Sequence, residues 1–384
     1  MSYMLRSVAR GIIIFGFFVA SGILKHRPHL RGKQNLKKLP TPVIFTLTHD
    51  SYFEVPSLSR VYFSLKPKLD FFILGKDDFL SGRYLASNFG KKSRILRYLL
   101  TILDMSKLPE AVFKIMRVTT IHRPFIESYQ LKKEAVKWEI SQQLHKMRDN
   151  ISHGISTVIF PEGTTWGFGG LKRMRSAVYQ LVENTFRQTR QKVYILPINV
   201  KVDKLVKGKK DIFINVGNPI FFRSSKDEFN TRLAAILRQL HTITFSQIAA
   251  YYIKRVAERL RDENRYAEFT REKFVAQIER IVADLNIMVE KKLLPYIDSR
   301  LVEHDYLRKK AWQFIRYCEK KNYLAAKGNN EGARTETLNA DVILSESPAS
   351  VFRKLNPLAF HANELASLNE ELIKSLYDPH LKEA

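Results

Sequence analysis

Between about residues 40 and 222 this sequence alternates short β-rich runs with longer stretches of helical period, and that alternation limits the folds open to it. The strand candidates are 43–48, 71–75, 115–122, 156–160, 193–200 and 211–216, each rich in Val, Ile or Phe and bounded by Pro, Gly or charged residues. Helical stretches are predicted near 54–65, 93–103, 127–149 and 172–187; in the third, Leu131, Ala135 and Trp138 recur at helical spacing on one face. The expected fold class is α/β, a mixed and largely parallel sheet flanked by helices. From about 228 to 325 the strand signal stops and charged, helix-rich sequence takes over, with 254–286 reading as helix and an interruption near Pro295. After Lys327 the run GNNEGARTETLNA lacks apolar periodicity and reads as a linker before an acidic-leaning end with one or two short helices. The expected organisation is an N-terminal membrane anchor (1–30), an α/β domain (31–226), a helical extension (227–326), and a linker with a C-terminal tail (327–384).

Hydrophobic content of 45%, with 25 Phe and 16 Tyr, excludes a wholly disordered chain. The single cysteine, Cys318, excludes an intramolecular disulfide and any cysteine-based zinc cluster; a buried thiol on a helix is expected. A formal charge of +26 attracts polyanions, either an anionic bilayer or a nucleic-acid backbone. Residues 11–24, GIIIFGFFVASGIL, carry no charge and lie between Arg6 and Arg10 on one side and Lys25 on the other. Fourteen residues fall short of the roughly 20 a spanning helix needs, so the stretch reads as an interfacial or re-entrant anchor, with a signal-peptide core or a buried helix as alternatives. Arg6, Arg10, Lys25 and Arg27 would sit among anionic headgroups. No aromatic-stacking or groove-reading motif supports specific binding of nucleic acid.

Four local patterns suggest chemistry. In 46-TLTHDSYFEVPSLS-59 a histidine ends a β-like run and Glu54 follows five residues on. With 10 His and 38 acids in 384 residues, chance alone supplies about one such spacing, and the sequence holds two, the other being His122…Glu127. Ser51-Tyr52-Phe53-Glu54 also fits a capping box, so Glu54 has a structural reading beside a catalytic one. If a helix begins at Asp50 or Ser51, His49 can fold back toward Glu54, and both readings hold together. The second pattern, 156-STVIFPEGTTWGFGGLKRMR-175, is a β-run followed by a Gly-rich loop, with Lys172, Arg173 and Arg175 expected to open a helix near an anionic group. Arg123 follows a third β-run in 118-VTTIHRPF-125. Pro197 breaks a buried strand in 193-VYILPINV-200 and is expected to leave carbonyls free.

In this order the four patterns resemble the motifs of the glycerolipid acyltransferase family, which includes lysophosphatidate and glycerol-3-phosphate acyltransferases. His49 to Glu54 resembles the His-x4-Asp motif, Ile121-His122-Arg123 the strand ending in Arg, Phe160 to Thr164 the Phe-Pro-Glu-Gly-Thr-Arg motif, and Ile195 to Ile198 the Pro-centred strand; Gly217-Asn218-Pro219-Ile220 follows as in relatives. The resemblance covers roughly residues 40–222. It departs in four places: Glu54 replaces Asp, Thr165 stands where Arg is usual, and Arg117 and Thr120 replace a Gly and a Phe of the second motif.

The resemblance implies transfer of a fatty acyl group from acyl-CoA or acyl carrier protein to a hydroxyl of lysophosphatidate or glycerol-3-phosphate. His49 would be the general base and Glu54 its orienting acid, with Arg123, Glu162, Gly163, Thr164, Lys172, Arg173 and Arg175 binding substrate. No metal or cofactor is expected beyond the acyl donor. The expected partners are membrane lipids and an anionic bilayer surface, and the expected location is a membrane, on its cytoplasmic face. Thr165 favours a variant, an acyltransferase for a non-phosphorylated lipid acceptor. A non-catalytic basic protein that binds membrane or nucleic acid is the reading from another class.

Overall fold

A computed structural model of the protein describes residues 3–48, 52–76, 98, 101, 106, 108–121, 133–163, 167–263, 268–327, 335–345 and 355–381. In chain order the first elements are α1 (Tyr3–Ile23), β1 (His26–Arg31), a 3-10 turn (Lys33–Leu36), β2 (Val43–Leu47), a 3-10 helix (Tyr52–Leu58), α2 (Ser59–Ser64), β3 (Phe71–Lys76), α3 (Leu108–Ile115), β4 (Val118–Ile121) and α4 (Lys133–Ser152). Then come β5 (Ser156–Ile159), α5 (Ala177–Thr189), β6 (Tyr194–Val202), β7 (Lys210–Val216), α6 (Lys226–Gln239), β8 (Thr242–Ile243), α7 (Phe245–Asp262), β9 (Glu268–Thr270) and α8 (Arg271–Glu290). The last are β10 (Tyr296–Ile297), a 3-10 turn (Ser299–Val302), α9 (His304–Lys320), β11 (Leu324–Lys327), β12 (Thr335–Leu338), α10 (Ala340–Leu344), α11 (Pro357–Ala366) and α12 (Glu370–Leu381).

Seven strands form one sheet in the order β1-β7-β6-β2-β5-β3-β4. Strands β6, β2, β5, β3 and β4 run parallel, β7 is antiparallel to β6, and β1 runs parallel to β7. This is the mixed, largely parallel sheet that the sequence predicts, with an apolar N-terminal helix before it and a helical region after it. Strand β2 is buried throughout because both faces of the sheet are covered. Ile44, Phe72, Ile159 and Ile195 pack against Met147 and Ile151 of α4, Val178 and Leu181 of α5, and Leu233 and Leu237 of α6. On the opposite face Val43, Phe45, Leu47, Leu196 and Ile198 meet Leu36, Val61 and Leu65, while Ile14 of α1 packs on Phe71 and Met116.

The β1 strand, HRPHLR, has no apolar alternation for a sequence reading to detect. It is an edge strand, where Pro28 need not donate a ladder hydrogen bond. Trp138 differs from its expectation. It is 67% exposed, and the buried face of α4 is carried instead by Met147 and Ile151. The 254–286 stretch expected as helix is two helices, α7 and α8, with β9 between them. Within the run read as a linker, Thr335–Leu338 forms a strand between β11 and β9, with Glu336 and Leu338 turned inward. Cys318 is fully buried in α9, where burial pushes its thiol up.

The helical region is fused to the sheet through buried charge. Lys310 of α9 donates to Asp203, just after β6, and to Asp211 of β7, both at 2.6 Å. Asp211 also meets His29 of β1 at 2.7 Å and Arg300 at 3.0 Å, and Arg300 reaches on to Asp298 at 2.9 Å. Burial opposes the charge on Asp211, but the hydrogen bond with His29 and the cations Lys310 and Arg300 outweigh it, holding the carboxyl below the usual carboxylate range. Burial likewise opposes the charge on Lys310, and Asp203 with Asp211 overcomes it, raising the ammonium.

These directions fix a pH dependence. The folded state binds fewer protons at Asp211 than the unfolded chain does, so its contribution is lost as pH falls below about 4, and the Lys310 contribution is lost only above about 10.4. The urea midpoint should therefore fall steadily below about pH 4. A midpoint unchanged between about pH 4 and about pH 2 would contradict this account of the junction.

Candidate active site

In a parallel sheet the strands end on one edge, and loops from neighbouring strands meet there. Thr46 of β2 is paired with Ile159 of β5 on one side and Pro197 of β6 on the other. Three residues on from that pairing stand His49 in one chain segment and Glu162 in the other, so both motifs leave adjacent strands at the same edge. Arg123 follows β4, two strands further out. His49, Arg123 and Thr164 themselves lie outside the described residues, as does Ser51 of the expected capping box.

Glu54 lies in the 3-10 helix Tyr52–Leu58, and its side chain is outside the described set. The expected α-helix starts only at Ser59, because Pro56 has no N–H to donate to the carbonyl four residues back. That 3-10 helix is tied to the N-terminal helix: Ser57 Oγ is buried and meets Ser21 Oγ at 3.1 Å and His26 Nδ1 at 2.9 Å.

The third motif folds back on itself. Gly163 closes a turn by donating to the Phe160 carbonyl at 2.9 Å, and its φ of 71° is a left-handed conformation that favours glycine. Glu162 is 4% exposed, and its Oε2 accepts the Lys172 N–H at 2.8 Å. The Arg175 N–H donates to the Pro161 carbonyl, also at 2.8 Å. These two bonds correct the expectation that Lys172, Arg173 and Arg175 open a helix. Residues 171–175 are irregular, the Lys172 and Arg175 amides are taken by the motif itself, and α5 begins at Ala177. Glu162 thus shapes its own loop, while Arg173 and Arg175 are exposed beside it. Arg173 meets Asp227 only at 3.7 Å with both side chains over 80% exposed, a screened contact that contributes little.

Pro197 also departs from expectation. Its carbonyl accepts the Gly217 N–H at 2.9 Å, and Ile195 exchanges hydrogen bonds with Ile220, so the Gly217-Asn218-Pro219-Ile220 segment closes the strand instead of leaving its carbonyls free.

No protein-family model matches this sequence, and no curated protein matches it. Among solved structures it is similar to the crystal structure of the 1-acyl-sn-glycerophosphate (LPA) acyltransferase PlsC from Thermotoga maritima, with a TM-score of 0.37 and 13% identity over 60% of this chain and 80% of that one. That overlap is too low to bear on what this chain does.

Two features of the region have no sequence signal. The Gly-rich loop rests on α11: Asn363 Nδ2 donates to the Phe168 carbonyl at 3.0 Å. Beside this contact, Lys201 of β6 forms a buried ion pair with Glu364 at 2.6 Å, and Glu364 also meets His361 Nδ1 at 2.6 Å and Gln247 Nε2 at 3.2 Å. Burial opposes the charge on Glu364, but Lys201 and His361 hold its carboxyl well below the usual range.

The N-terminal helix is longer than its uncharged stretch suggested. It runs for 21 residues, and Arg6–Ile23 is long and apolar enough to cross a membrane. Yet one face is docked by polar contacts. Arg10 is buried, bonded to Asp70 at 3.0 Å and stacked over Phe71, and Ser21 is bonded to Ser57. Val8, Ile12, Phe15, Val19 and Ile23 form an exposed apolar stripe on the other side. Phe63 of α2 extends it, meeting Phe18 edge-on at 6.0 Å with Arg60 over the same ring.

Proposed function

We propose that this protein is a membrane-associated acyltransferase that moves a fatty acyl group from acyl-CoA or acyl carrier protein to a hydroxyl of a glycerophospholipid precursor, lysophosphatidate or glycerol-3-phosphate. The observation that carries the reading is the parallel pairing of β2 with β5, from which the His49…Glu54 and Phe160-Pro161-Glu162-Gly163-Thr164 motifs depart at one edge. A hydroxyl is a poor nucleophile near neutral pH and needs a base in its path. In this mechanism one imidazole nitrogen of His49 takes the hydroxyl proton as the oxygen attacks the thioester carbonyl. The carbon–sulfur bond then breaks, and the departing thiolate takes the proton from the imidazolium. Glu54 holds the other ring N–H and stabilises the transient positive charge. Gly163 and Thr164 border the acceptor, and Arg123, Arg173 and Arg175, with Lys172, hold its phosphate, arginine offering paired hydrogen bonds to it. Glu162 keeps the loop in shape from beneath.

The docked face of α1 favours a helix lying along an anionic membrane surface rather than spanning it. A charged side chain among acyl chains is unfavourable, whereas an exposed apolar stripe flanked by Lys25, Arg27 and Arg60 suits the headgroup boundary. Replacing Ile12 and Phe15 together by Asp should weaken binding to phosphatidylglycerol-containing vesicles about tenfold or more, with the thermal midpoint kept. Unchanged partitioning would contradict it.

The deciding assay offers labelled long-chain acyl-CoA with glycerol-3-phosphate, lysophosphatidate and uncharged lyso-lipids. Wild type should turn over a phosphorylated acceptor, and His49→Ala should lose about 10²- to 10⁴-fold while remaining folded. Preference for an uncharged acceptor would assign the meaning of Thr165 instead, namely a non-phosphorylated lipid substrate. Full activity in His49→Ala would remove the histidine from the mechanism.

A further inference from the structure

We infer that Asn363 of α11 is a positioning residue that holds the Gly-rich loop of the site, so that the C-terminal segment forms part of the acceptor side. Its kinetic consequence rests on the acyl transfer proposed above; its geometry does not. Gly169 and Gly170 both have positive φ, 87° and 79°, and both lie directly on α11. A Cβ on Gly169 would stand 2.3 Å from the Phe360 carbonyl oxygen, and one on Gly170 would stand 2.6 Å from Ser367 Oγ. The loop backbone is therefore seated on the helix with no room for a side chain between them.

Asn363 fastens this contact with a defined orientation. Its Oδ1 accepts from Lys254 Nζ of α7 at 3.2 Å, which leaves its Nδ2 to donate to the Phe168 carbonyl at 3.0 Å. The next residue, Glu364, points inward to Lys201 of β6, so one turn of α11 is anchored to the sheet and grips the loop. The loop is thereby held at two places: at its base, where Glu162 accepts from Lys172, and at its far side, where Phe168 meets Asn363. Release of the second hold would leave the chemistry of His49 and the Glu162–Lys172 and Pro161–Arg175 bonds intact, but would free the Phe168–Gly170 span of the loop on the acceptor side. The cost should fall on acceptor binding.

Asn363 is only half-buried, so Asn363→Ala should fold. It should raise the acceptor KM about tenfold, with kcat, acyl-donor KM and thermal midpoint unchanged. A second readout does not need activity. Phe168→Trp, in a background with Trp138, Trp166 and Trp312 replaced by Phe, puts a single fluorophore on the seated residue, whose contact with Asn363 is made by its backbone carbonyl. Acrylamide quenching in that protein should rise about twofold on Asn363→Ala, and Gly169→Ala, which presses the loop off the helix from its own side, should shift it the same way. Unchanged quenching in both variants overturns the inference whatever the kinetics. Raised quenching with an unchanged acceptor KM overturns the positioning role and leaves a structural contact. Absence of turnover with any acceptor would sink the proposed function, and quenching alone would then decide whether Asn363 holds the loop.

Discussion

Parallel pairing of β2 with β5 and β6 is the constraint on which the rest of this structure depends. Parallel strands send every strand end to the same edge, and the backbone ladder fixes which residues arrive there together. Thr46, Ile159 and Pro197 stand in one row, so a histidine motif and a glutamate–glycine motif more than a hundred residues apart in sequence emerge beside each other. Because β2 is buried on both faces, its register rests on how its side chains fit the two covering layers, Ile44 against α4, α5 and α6 and Val43, Phe45 and Leu47 against Leu36, Val61 and Leu65.

Around that edge, charge is used for two different purposes. The Asp203–Lys310–Asp211 cluster and the Lys201–Glu364 pair lie inside, compensated and hydrogen-bonded, and they join the helical region to the sheet. Removing one partner of such a pair leaves a buried charge, which typically destabilises by about 3–5 kcal/mol, so the pairs fix how the two regions meet even though desolvation offsets much of their attraction. Many of the remaining basic groups face outward, among them Lys25, Arg27, Arg60, Arg173 and Arg175. The inner charges make one body; the outer ones set what that body approaches.

The strands β2, β3, β5, β6 and β7 were legible in sequence because their short runs are dense in Val, Ile or Phe and bounded by breakers. The β1 strand was not, because an edge position tolerates His, Arg and Pro. The α5 start was misplaced because Lys172, Arg173 and Arg175 look like the first turn of a helix, while Glu162 and Pro161 had already claimed the Lys172 and Arg175 amides. The Gly-rich loop was visible as a loop. Its seat was not, since Asn363 lies 195 residues from Phe168 and nothing local announces the contact. The order of the motifs was readable, but which side chains turn inward is a property of tertiary packing.

The central claim is that Glu54 orients His49 as a base, and the state of that imidazole tests it without knowledge of the acceptor. The measurement is the ¹⁵N spectrum of histidine-labelled protein on membranes near neutral pH, with the His49 signal assigned by its loss in His49→Ala. The account predicts a single neutral tautomer in wild type, with one ring nitrogen protonated, that becomes a mixture of both tautomers in Glu54→Ala. The same mixture in both proteins would contradict it.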